Sequence, residues 1–227
     1  MSEYSQFCPI AKAMELLDER WTLLIVRELL SGSQHFNEIR SGNPRISTSL
    51  LAKRLRTLQR YELVQREVDD RGVTYSLTPA GQELFPIVEA IGVWGTRWAA
   101  DLGDGDLDPQ VLLWDVHYNI DQDLLPQGRT VVHFVFPGAD RGQQDWWLVL
   151  TAAEADVCQV DPGHEVDVTV TADLRALTAV WMGDRDWADV LREGSVTIAG
   201  APLLQHAFPT WLKLSMFAGV PRVGAGT

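Results

Sequence analysis

Apolar residues in the first hundred positions recur every three or four residues and then alternate with polar ones. The first pattern is typical of a helix with one buried face, and the second of a half-buried strand. In chain order, the pattern predicts helices over Pro9–Leu17 and Trp21–Leu30, one or two helical turns from Phe36, and a helix that Ser47 caps and that ends near Tyr61. Two strands, Leu63–Val68 and Val73–Leu77, are predicted around the turn Asp69-Asp70-Arg71-Gly72.

The helix after Ser47 has two chemically different faces. Its apolar positions predict a face buried in the core: Ile46, Leu50, Leu51, Leu55 and Leu58. Hydroxyls and cations fall mainly on the opposite face: Thr48, Ser49, Lys53, Arg56, Thr57 and Arg60. The major groove of duplex DNA is about 12 Å wide and admits one α-helix, whose outward side chains reach the base edges. A short helix, a basic helix and a ribbon in this order are the layout of a winged helix-turn-helix, so the sequence predicts duplex DNA as a partner.

Each predicted DNA contact has a role that follows from its chemistry. Hydroxyls and a cation near the helix start are predicted to read base edges, namely Thr48, Ser49 and Lys53. Ser47 is expected to donate to a phosphate as well as cap the helix, and Arg45 to hold the DNA backbone. Phosphates or the minor groove are the predicted partners of Arg56, Arg60 and the wing residue Arg71. Two alternatives stay open: these cations are merely solvated, and Arg54 makes a structural ion pair or a DNA contact.

The net charge of −12 does not exclude a nucleic-acid partner, because the charge is unevenly distributed. Residues 1–100 carry 12 Lys and Arg against 12 Asp and Glu, so the whole acidic excess lies in residues 101–227. Residues 40–71 carry 8 basic and 4 acidic side chains. This asymmetry indicates two units with different partners, and an acidic second unit would restrict DNA to one face of the molecule.

The end of the first half predicts a dimerisation helix. Thr78 is expected to cap a helix that begins at Pro79, kinks at Pro86 and ends near Ala100. Its apolar positions cover more than one face: Leu84, Phe85, Ile87, Val88, Ile91, Trp94 and Trp98. A helix that is apolar beyond one face needs a second partner surface. That surface is either a second copy of the chain or the chain's own second domain.

The second half predicts a separate α+β domain. Residues 102–110 are acidic and lack an apolar pattern, so they are predicted to form a linker. The pattern then predicts a helix near 111–120, strands near 130–136, 146–150, 156–160 and 166–171, helices near 174–182 and 187–192, a strand near 196–198 and a final helix over 203–217. Strands with helices on one side form an α+β layer. The predicted domains are therefore residues 1–101 and 111–227, and the predicted fold class is α+β.

The first half resembles the HxlR-type transcriptional regulators over about residues 7–100. The matching positions are Cys8-Pro9, the run Arg20–Leu29, Phe36–Ile39, Ile46-Ser47, Leu51, Arg54-Leu55, Leu58, Leu63-Val64, Arg66, Tyr75–Thr78 and Gly81. The resemblance implies a MarR-like winged-helix homodimer that binds operator DNA as a repressor or activator. The wing departs from the family pattern, which often has a longer, proline-containing segment in place of residues 69–72.

Cys8 has two interpretations. The resembling family includes members in which a thiol near this position senses oxidants or electrophiles, and a helix N-terminus raises the thiolate fraction of a cysteine. Alternatively, Cys8 is a small hydrophobe packed at a domain edge. Cys8 and Cys158 form no disulfide framework in the sequence, which fits a reducing, intracellular setting.

The second half is similar to the sterol-carrier-protein-2-like (SCP2-like) domains from Val132 to about Leu214, including the run Leu191–Gly200. This resemblance implies a module that holds an apolar molecule between a sheet and helices. Pockets are lined mostly by apolar side chains, and the candidates here are Trp146, Trp147, Trp181, Met182, Trp187, Phe208 and Trp211. For each of them taken singly, core packing is the alternative and the favoured interpretation.

Motifs of other function classes are missing from the sequence. The histidines at 35, 117, 133, 164 and 206 lack metal-ligand spacing, and there is no nucleophile elbow, phosphate-cradling loop or dinucleotide fingerprint. No apolar run approaches the roughly 18–20 residues of a membrane span, and the N-terminus lacks the pattern of a secretory signal. The sequence therefore predicts a cytoplasmic protein that is not an enzyme and uses neither metal nor cofactor.

These observations together predict a DNA-binding regulator whose operator affinity depends on an apolar small molecule held by the C-terminal domain. The alternative is a lipid or small-molecule carrier in which the winged-helix unit serves as a dimerisation scaffold.

Overall fold

The computed structural model describes residues 4–70, 72–99 and 102–223. Arg71, a predicted DNA contact, lies outside the described residues. The chain divides into two units, Met1–Gly92 and Val93–Thr227. The domain limits predicted from the sequence, at residues 101 and 111, stay predictions.

Helices and an antiparallel ribbon make up the first unit. In chain order they are α1 (Pro9–Leu17), α2 (Thr22–Ser31), α3 (Phe36–Ser41), α4 (Thr48–Arg60), β1 (Val64–Asp69), β2 (Gly72–Leu77), α5 (Pro79–Gln82) and α6 (Phe85–Trp98), the last turns of which belong to the second unit. The ribbon pairs Val64 with Leu77 and Asp69 with Gly72. Up to Leu77, the structure has the predicted elements, each within a residue or so of its predicted bounds.

The core of the first unit joins every one of its longer helices to the ribbon. Its buried apolar side chains are Leu17, Ile25, Val26, Leu29, Ile39, Ile46, Leu51, Leu55, Leu58, Val64 and Leu84. Between α2 and α3 the chain turns at Gly32, whose φ of +114° is a conformation that favours glycine. The apolar face predicted for α4 is therefore the face that anchors this helix in the unit.

The predicted helix from Pro79 to Ala100 is two helices, not one kinked helix. α5 ends at Gln82, and α6 begins at Phe85. Pro86 lacks an N–H, and its ring excludes the carbonyl of the residue four positions earlier, which is Gln82. Proline fits best in the first turn of a helix, and here the chain leaves the helix before Pro86 and begins a new one around it.

The second unit is an α+β layer with one mixed sheet. Its elements are α7 (Pro109–His117), β3 (Thr130–Val135), β4 (Asp145–Leu150), β5 (Ala155–Cys158), β6 (Val168–Ala172), α8 (Leu174–Trp181), α9 (Trp187–Glu193), β7 (Val196–Gly200) and α10 (Pro202–Trp211). The strand order is β5-β4-β3-β6-β7. β3 and β6 are parallel, and the other neighbouring strands are antiparallel.

One face of this sheet packs on the helices. Alternate strand residues on that face are buried, among them Val132, Phe134, Leu148, Val168 and Val170. They share a core with helix residues Leu113, Leu177, Val180, Phe208 and Trp211. The side chains between them, such as His133 and Thr169, point to the other face and are half-buried.

The final helix is shorter than the predicted range 203–217. α10 ends at Trp211, two residues after Pro209, which lies inside the helix and removes one of its hydrogen bonds. Beyond it the backbone pairs with a distant segment: Leu212 forms a bridge with Ile120, and the Asp121 N–H donates to the Trp211 carbonyl at 2.8 Å. This pairing joins residues about ninety positions apart, so local periodicity does not reveal it.

Candidate nucleic-acid interface

A line of exposed polar and basic side chains runs along α4. Ser49, Lys53, Arg56 and Arg60 are spaced at i, i+4, i+7 and i+11, which places them on one side of the helix. All four are exposed, and we call them the α4 stripe. At 1.5 Å per residue the stripe is roughly 16 Å long. The opposite side of α4 carries its buried residues: Leu51, Arg54, Leu55 and Leu58.

Ser47 caps the N-terminal end of α4. The Ser47 Oγ accepts a hydrogen bond from the Leu50 N–H at 3.3 Å and lies 3.3 Å from the Ser49 hydroxyl. Ser47 and Thr48 are exposed, as is Arg45 just before the helix. Hydroxyls and a cation therefore cluster at the start of the stripe. Thr57 flanks the stripe and is half-buried.

The turn between α3 and α4 is fixed by a buried carboxylate. Glu28 is 1% exposed and accepts from the Arg27 Nε at 3.0 Å. The Arg27 Nη2 also donates to the Gly42 carbonyl at 3.0 Å. The amide of Asn43 donates to the Ile39 carbonyl at 3.0 Å. The Arg27 bond ties the chain between the two helices to α2, and the Asn43 bond ties it to α3. The orientation of α4 is therefore set by part-buried contacts rather than by solvent-exposed ones.

Arg54 is a structural residue on the buried side of α4. Its guanidinium forms an ion pair with the Glu19 carboxylate, and its Nε donates to the Arg20 carbonyl at 3.0 Å. The Arg54 side chain is 8% exposed. Of the two interpretations that the sequence leaves open, the ion pair is the one that the structure contains.

The wing is attached to the segment before α3. The Tyr75 N–H donates to the Gln34 carbonyl at 2.8 Å, and the His35 ring nitrogen lies 3.1 Å from the Val73 carbonyl. At the tip the Asp69 carboxylate accepts from the Gly72 N–H at 3.1 Å. The ribbon therefore extends from a fixed base beside the helix-turn-helix.

A second exposed stripe on α6 is apolar. Ile87, Ile91, Trp94 and Trp98 follow the same i, i+4, i+7, i+11 spacing, and their exposed fractions are 45%, 50%, 62% and 60%. We call them the α6 stripe. Of the other apolar positions of the predicted helix, Leu84 is buried, Val88 packs against the core of the first unit, and Phe85 is 45% exposed.

The seven side chains predicted to line a pocket in the second half occupy different places. Phe208 and Trp211 are fully buried in the core. Trp146 is also buried, and its indole donates to the Gln143 carbonyl at 2.9 Å. Trp147 lies on the other face of the sheet, where its ring stacks on His133 with centroids 4.8 Å apart.

The remaining three predicted lining residues border cavities. Trp181 and Met182 line a cavity of about 250 Å³, and Trp181 and Trp187 line a second cavity of about 10 Å³. Sequence reasoning missed the other side of the larger cavity, which Thr96 and Asp115 help to form. Its lining combines residues separated by more than sixty positions, such as Asp115 and Thr178, which only folding brings together.

The two cysteines have different surroundings. Cys8 precedes α1 as its N-cap residue and is half-buried. Cys158 ends β5, where burial, and then the negative charge of Asp156, raise the pKa of the thiol. A raised pKa lowers the thiolate fraction near neutral pH.

Two other features, a metal site and a membrane-spanning helix, are not found in the described parts of the chain. Among these residues, no three or more His, Cys, Asp or Glu side chains are grouped so that they could hold a metal ion. Nor does any described helix combine the length and apolar composition that crossing a membrane requires.

Comparison with known proteins gives consistent matches to one family. A family model described as an HxlR-like helix-turn-helix matches residues 16–102. The HTH-type transcriptional regulator YvaP of Bacillus subtilis is 41% identical over 98 residues, which cover 41% of this chain and 91% of that protein. YodB of the same organism, also an HTH-type transcriptional regulator, is 35% identical over 95 residues, covering 40% of this chain and 85% of YodB. The solved reduced form of YodB aligns with 40% of this chain and 92% of its own, at 35% identity and a TM-score of 0.36.

Proposed function

Because the chain belongs to the HxlR-like helix-turn-helix family of transcriptional regulators, we propose that it is a homodimeric regulator that inserts α4 into the major groove of an operator. The α4 stripe is the observation that carries this proposal. It presents Ser49, Lys53, Arg56 and Arg60 to solvent on one side of a helix whose opposite side is anchored in the core. A groove-reading helix needs this combination of a solvent-exposed polar side and a fixed buried side.

The position of each side chain along α4 suggests which part of the DNA it contacts. Thr48, Ser49 and Lys53 lie near the start of α4, where recognition helices reach base edges. Further along, Arg56 and Arg60 are suited to phosphates, with Thr57 beside them. Ser47 and Arg45 would contact the DNA backbone at the helix start, and Arg71 at the wing tip would contact the minor groove.

The homodimer is proposed from the α6 stripe. Four large apolar side chains exposed along one helix side are unusual on the surface of a monomer and mark a protein-contact site. A second copy of the chain buries the same stripe on both partners, as two-fold symmetry requires. Two-fold dimers bind palindromic operators with half-sites about one helical turn of DNA apart.

We also propose that residues 111–227 form an SCP2-like ligand-binding domain, joined by the linker 102–110 to the DNA-binding domain 1–101. The one-sided packing of helices on the sheet supports this proposal. A small molecule that binds there changes operator affinity if it favours one dimer geometry. The carrier function has less support, because the apolar cavity beside Trp187 has a volume of about 10 Å³, the space of a single water molecule.

A DNA-binding titration tests the main proposal. Fluorescence anisotropy with labelled fragments from upstream of the protein's own gene, at several salt concentrations, should reveal one tight site whose affinity falls steeply with salt. Replacing Lys53 and Arg56 together by alanine should abolish specific binding and reduce the slope of log K against log salt by about 2. The melting temperature should stay unchanged, because both side chains are exposed.

The matched control removes two exposed cations from the second unit, Arg129 and Lys213, and should leave DNA binding unchanged. If the wild-type chain binds no upstream fragment, or if the control loses as much affinity as the α4 variant, the proposed function is wrong.

A further inference from the structure

His35 connects the wing, which is the ribbon of β1 and β2, to the segment before α3 through its side chain. We propose that His35 is a positioning residue for DNA binding: its ring holds β2 at Val73 and thereby fixes the angle at which the tip of the wing meets the DNA. The proposal rests on the proposed function for its DNA-binding part, whereas the hold on the wing can be tested without DNA.

Packing anchors the base of the wing but not its outer part. At the base, Val64 is buried in the core of the first unit, and Tyr75 and Leu77 pack against that core. Toward the tip, residues 65–69 of β1 are exposed, and Val68 has an exposed fraction of 64%. A two-stranded ribbon is only marginally stable by itself. The outer part of the wing therefore needs another attachment if it is to keep one direction.

Two hydrogen bonds attach β2 to the segment before α3. The Tyr75 N–H donates to the Gln34 carbonyl at 2.8 Å, and the His35 Nδ1 lies 3.1 Å from the Val73 carbonyl oxygen. A carbonyl oxygen can only accept, so the His35 Nδ1 carries the proton of this bond. Of the two bonds, the one from His35 is nearer the tip of the wing.

The His35 ring joins the wing to a fixed point of the helix-turn-helix. The Glu38 Oε2 accepts from the backbone N–H groups of Gln34 and His35, at 2.7 and 2.8 Å. These bonds hold the segment to the first turn of α3, and they use the backbone donor of His35. The ring nitrogen supplies the donor for Val73 in its place.

A wing that is already fixed in the free protein favours DNA binding. The conformational freedom that the wing would otherwise lose on binding is lost during folding, so less of the contact energy is spent on ordering. The loss of one such hydrogen bond corresponds to a Kd about 5-fold higher. His35 is exposed, so its substitution should change the wing and leave the core of the first unit intact.

Hydrogen exchange of the free, full-length protein tests the hold on the wing. In His35→Ala, peptides that cover residues 64–77 should exchange at least about 3-fold faster, while peptides from α4 should be unchanged. His35→Asn should behave like the wild type, because its amide nitrogen is bonded to Cγ, as Nδ1 is in histidine, and also donates. His35→Gln moves the nitrogen one bond further and should behave like His35→Ala. Unchanged exchange of the wing in His35→Ala would overturn the proposal.

Fluorescence anisotropy with the operator fragment tests the effect on DNA binding. His35→Ala should raise the Kd about 5-fold, and His35→Asn should stay within about 2-fold of the wild type. Because the effect acts through the wing, adding His35→Ala to Arg71→Ala should change the Kd by less than about 2-fold. Additive losses would mean that His35 acts independently of the wing tip, and an equal loss in His35→Asn would mean that the hydrogen bond is not the cause. Either result contradicts the proposal.

The matched control is His206→Ala in the second unit. His206 is also exposed, and its ring nitrogen lies 2.7 Å from the Pro202 carbonyl oxygen, so the variant removes the same kind of bond outside the wing. It should change neither the exchange of the wing nor the operator affinity.

The two proposals fail separately. If the wild type binds its operator and His35→Ala binds it equally well, only the role of His35 is contradicted. If the wild type binds no upstream fragment, the proposed function is contradicted, and the exchange of His35→Ala still decides whether His35 holds the wing.

Discussion

Glu28 is the charged side chain with the most demanding environment in the first unit. It lies 1% exposed within a mostly apolar helix, with Arg27 beside it and the Gly42 backbone directly against its carboxylate. A buried carboxylate is tolerated only when it is paired and hydrogen-bonded. The close approach of Gly42 is part of that arrangement, because a Cβ at this position would overlap the Glu28 carboxylate.

Gly42→Ala should therefore destabilise the protein by about 2–4 kcal/mol, since the methyl group displaces a buried charge from its partners. Urea unfolding followed by circular dichroism measures the change in the free energy of unfolding. Asn37→Ala, an exposed position in α3, serves as the control and should stay within about 0.5 kcal/mol of the wild type. A change of similar size in both variants would contradict the packing argument.

The Cys158 thiol should react slowly in the folded protein. Burial and the charge of Asp156 raise the pKa of Cys158, so at any pH below that pKa a smaller fraction of the thiol is thiolate. In a Cys8→Ser background, folded Cys158 should react with iodoacetamide more slowly than in the urea-unfolded chain, and the difference should shrink as pH rises. Asp156→Asn should speed the reaction about 2-fold at pH 8, and an unchanged rate would contradict the assigned charge effect.

The hypothesis that Cys8 is a sensor is tested with serine variants of the two cysteines. If the Cys8 thiol senses oxidants, peroxide or quinone should weaken operator binding in the wild type and in Cys158→Ser, but not in Cys8→Ser. If Cys8 is a packing residue, all three proteins should respond alike.

Residue roles were predictable from sequence where they depend on neighbours along one helix. The polar side of α4 follows from its spacing, and the structure exposes the residues of the α4 stripe. The role of Arg54 could not be decided from sequence, because its partners, the Glu19 carboxylate and the Arg20 carbonyl, come from a segment more than thirty positions earlier. The burial of Glu28 depends in the same way on Gly42, which only the folded turn brings to it.

At the scale of the element, the two sides of α4 should contribute differently: the buried side to the stability of the protein, and the exposed side to DNA binding. Arg54→Ala should lower the free energy of unfolding by about 2 kcal/mol, because the Arg20 carbonyl and the Glu19 carboxylate lose a buried donor. Lys53→Ala, one position earlier and on the exposed side, should leave stability within about 0.5 kcal/mol and weaken DNA binding instead. Chemical denaturation and anisotropy on both variants measure the two effects, and equal losses of stability would refute the division of faces.

The bounds of helices and strands were predicted well where the local hydrophobic pattern determines them. They were predicted less well where a proline or the pairing of distant segments determines where an element ends. α1, α4 and the ribbon have nearly the predicted bounds. Pro86 splits one predicted helix into α5 and α6, a consequence of the missing N–H and the ring clash rather than of hydrophobic spacing. The SCP2-like pocket lining was the weakest prediction, since a tryptophan in a core and one in a pocket have the same sequence pattern.

At the scale of the whole molecule, the net charge differs between the two halves of the chain. The acidic excess lies entirely in residues 101–227, while residues 40–71 are net basic. DNA should therefore approach through the first unit and be repelled by the second, which limits non-specific binding.

The dimer proposal makes the last prediction. In analytical ultracentrifugation at micromolar concentration the wild-type chain should sediment as a dimer, held by the α6 stripe. Ile91→Glu places a charge where a second copy would bury it, so the dissociation constant should rise by about 100-fold or more. Operator affinity should fall with it, because a monomer contacts only one half-site. Ile91→Leu keeps the apolar surface and should preserve both properties. A wild-type monomer that still binds its operator tightly would show that the stripe serves another partner.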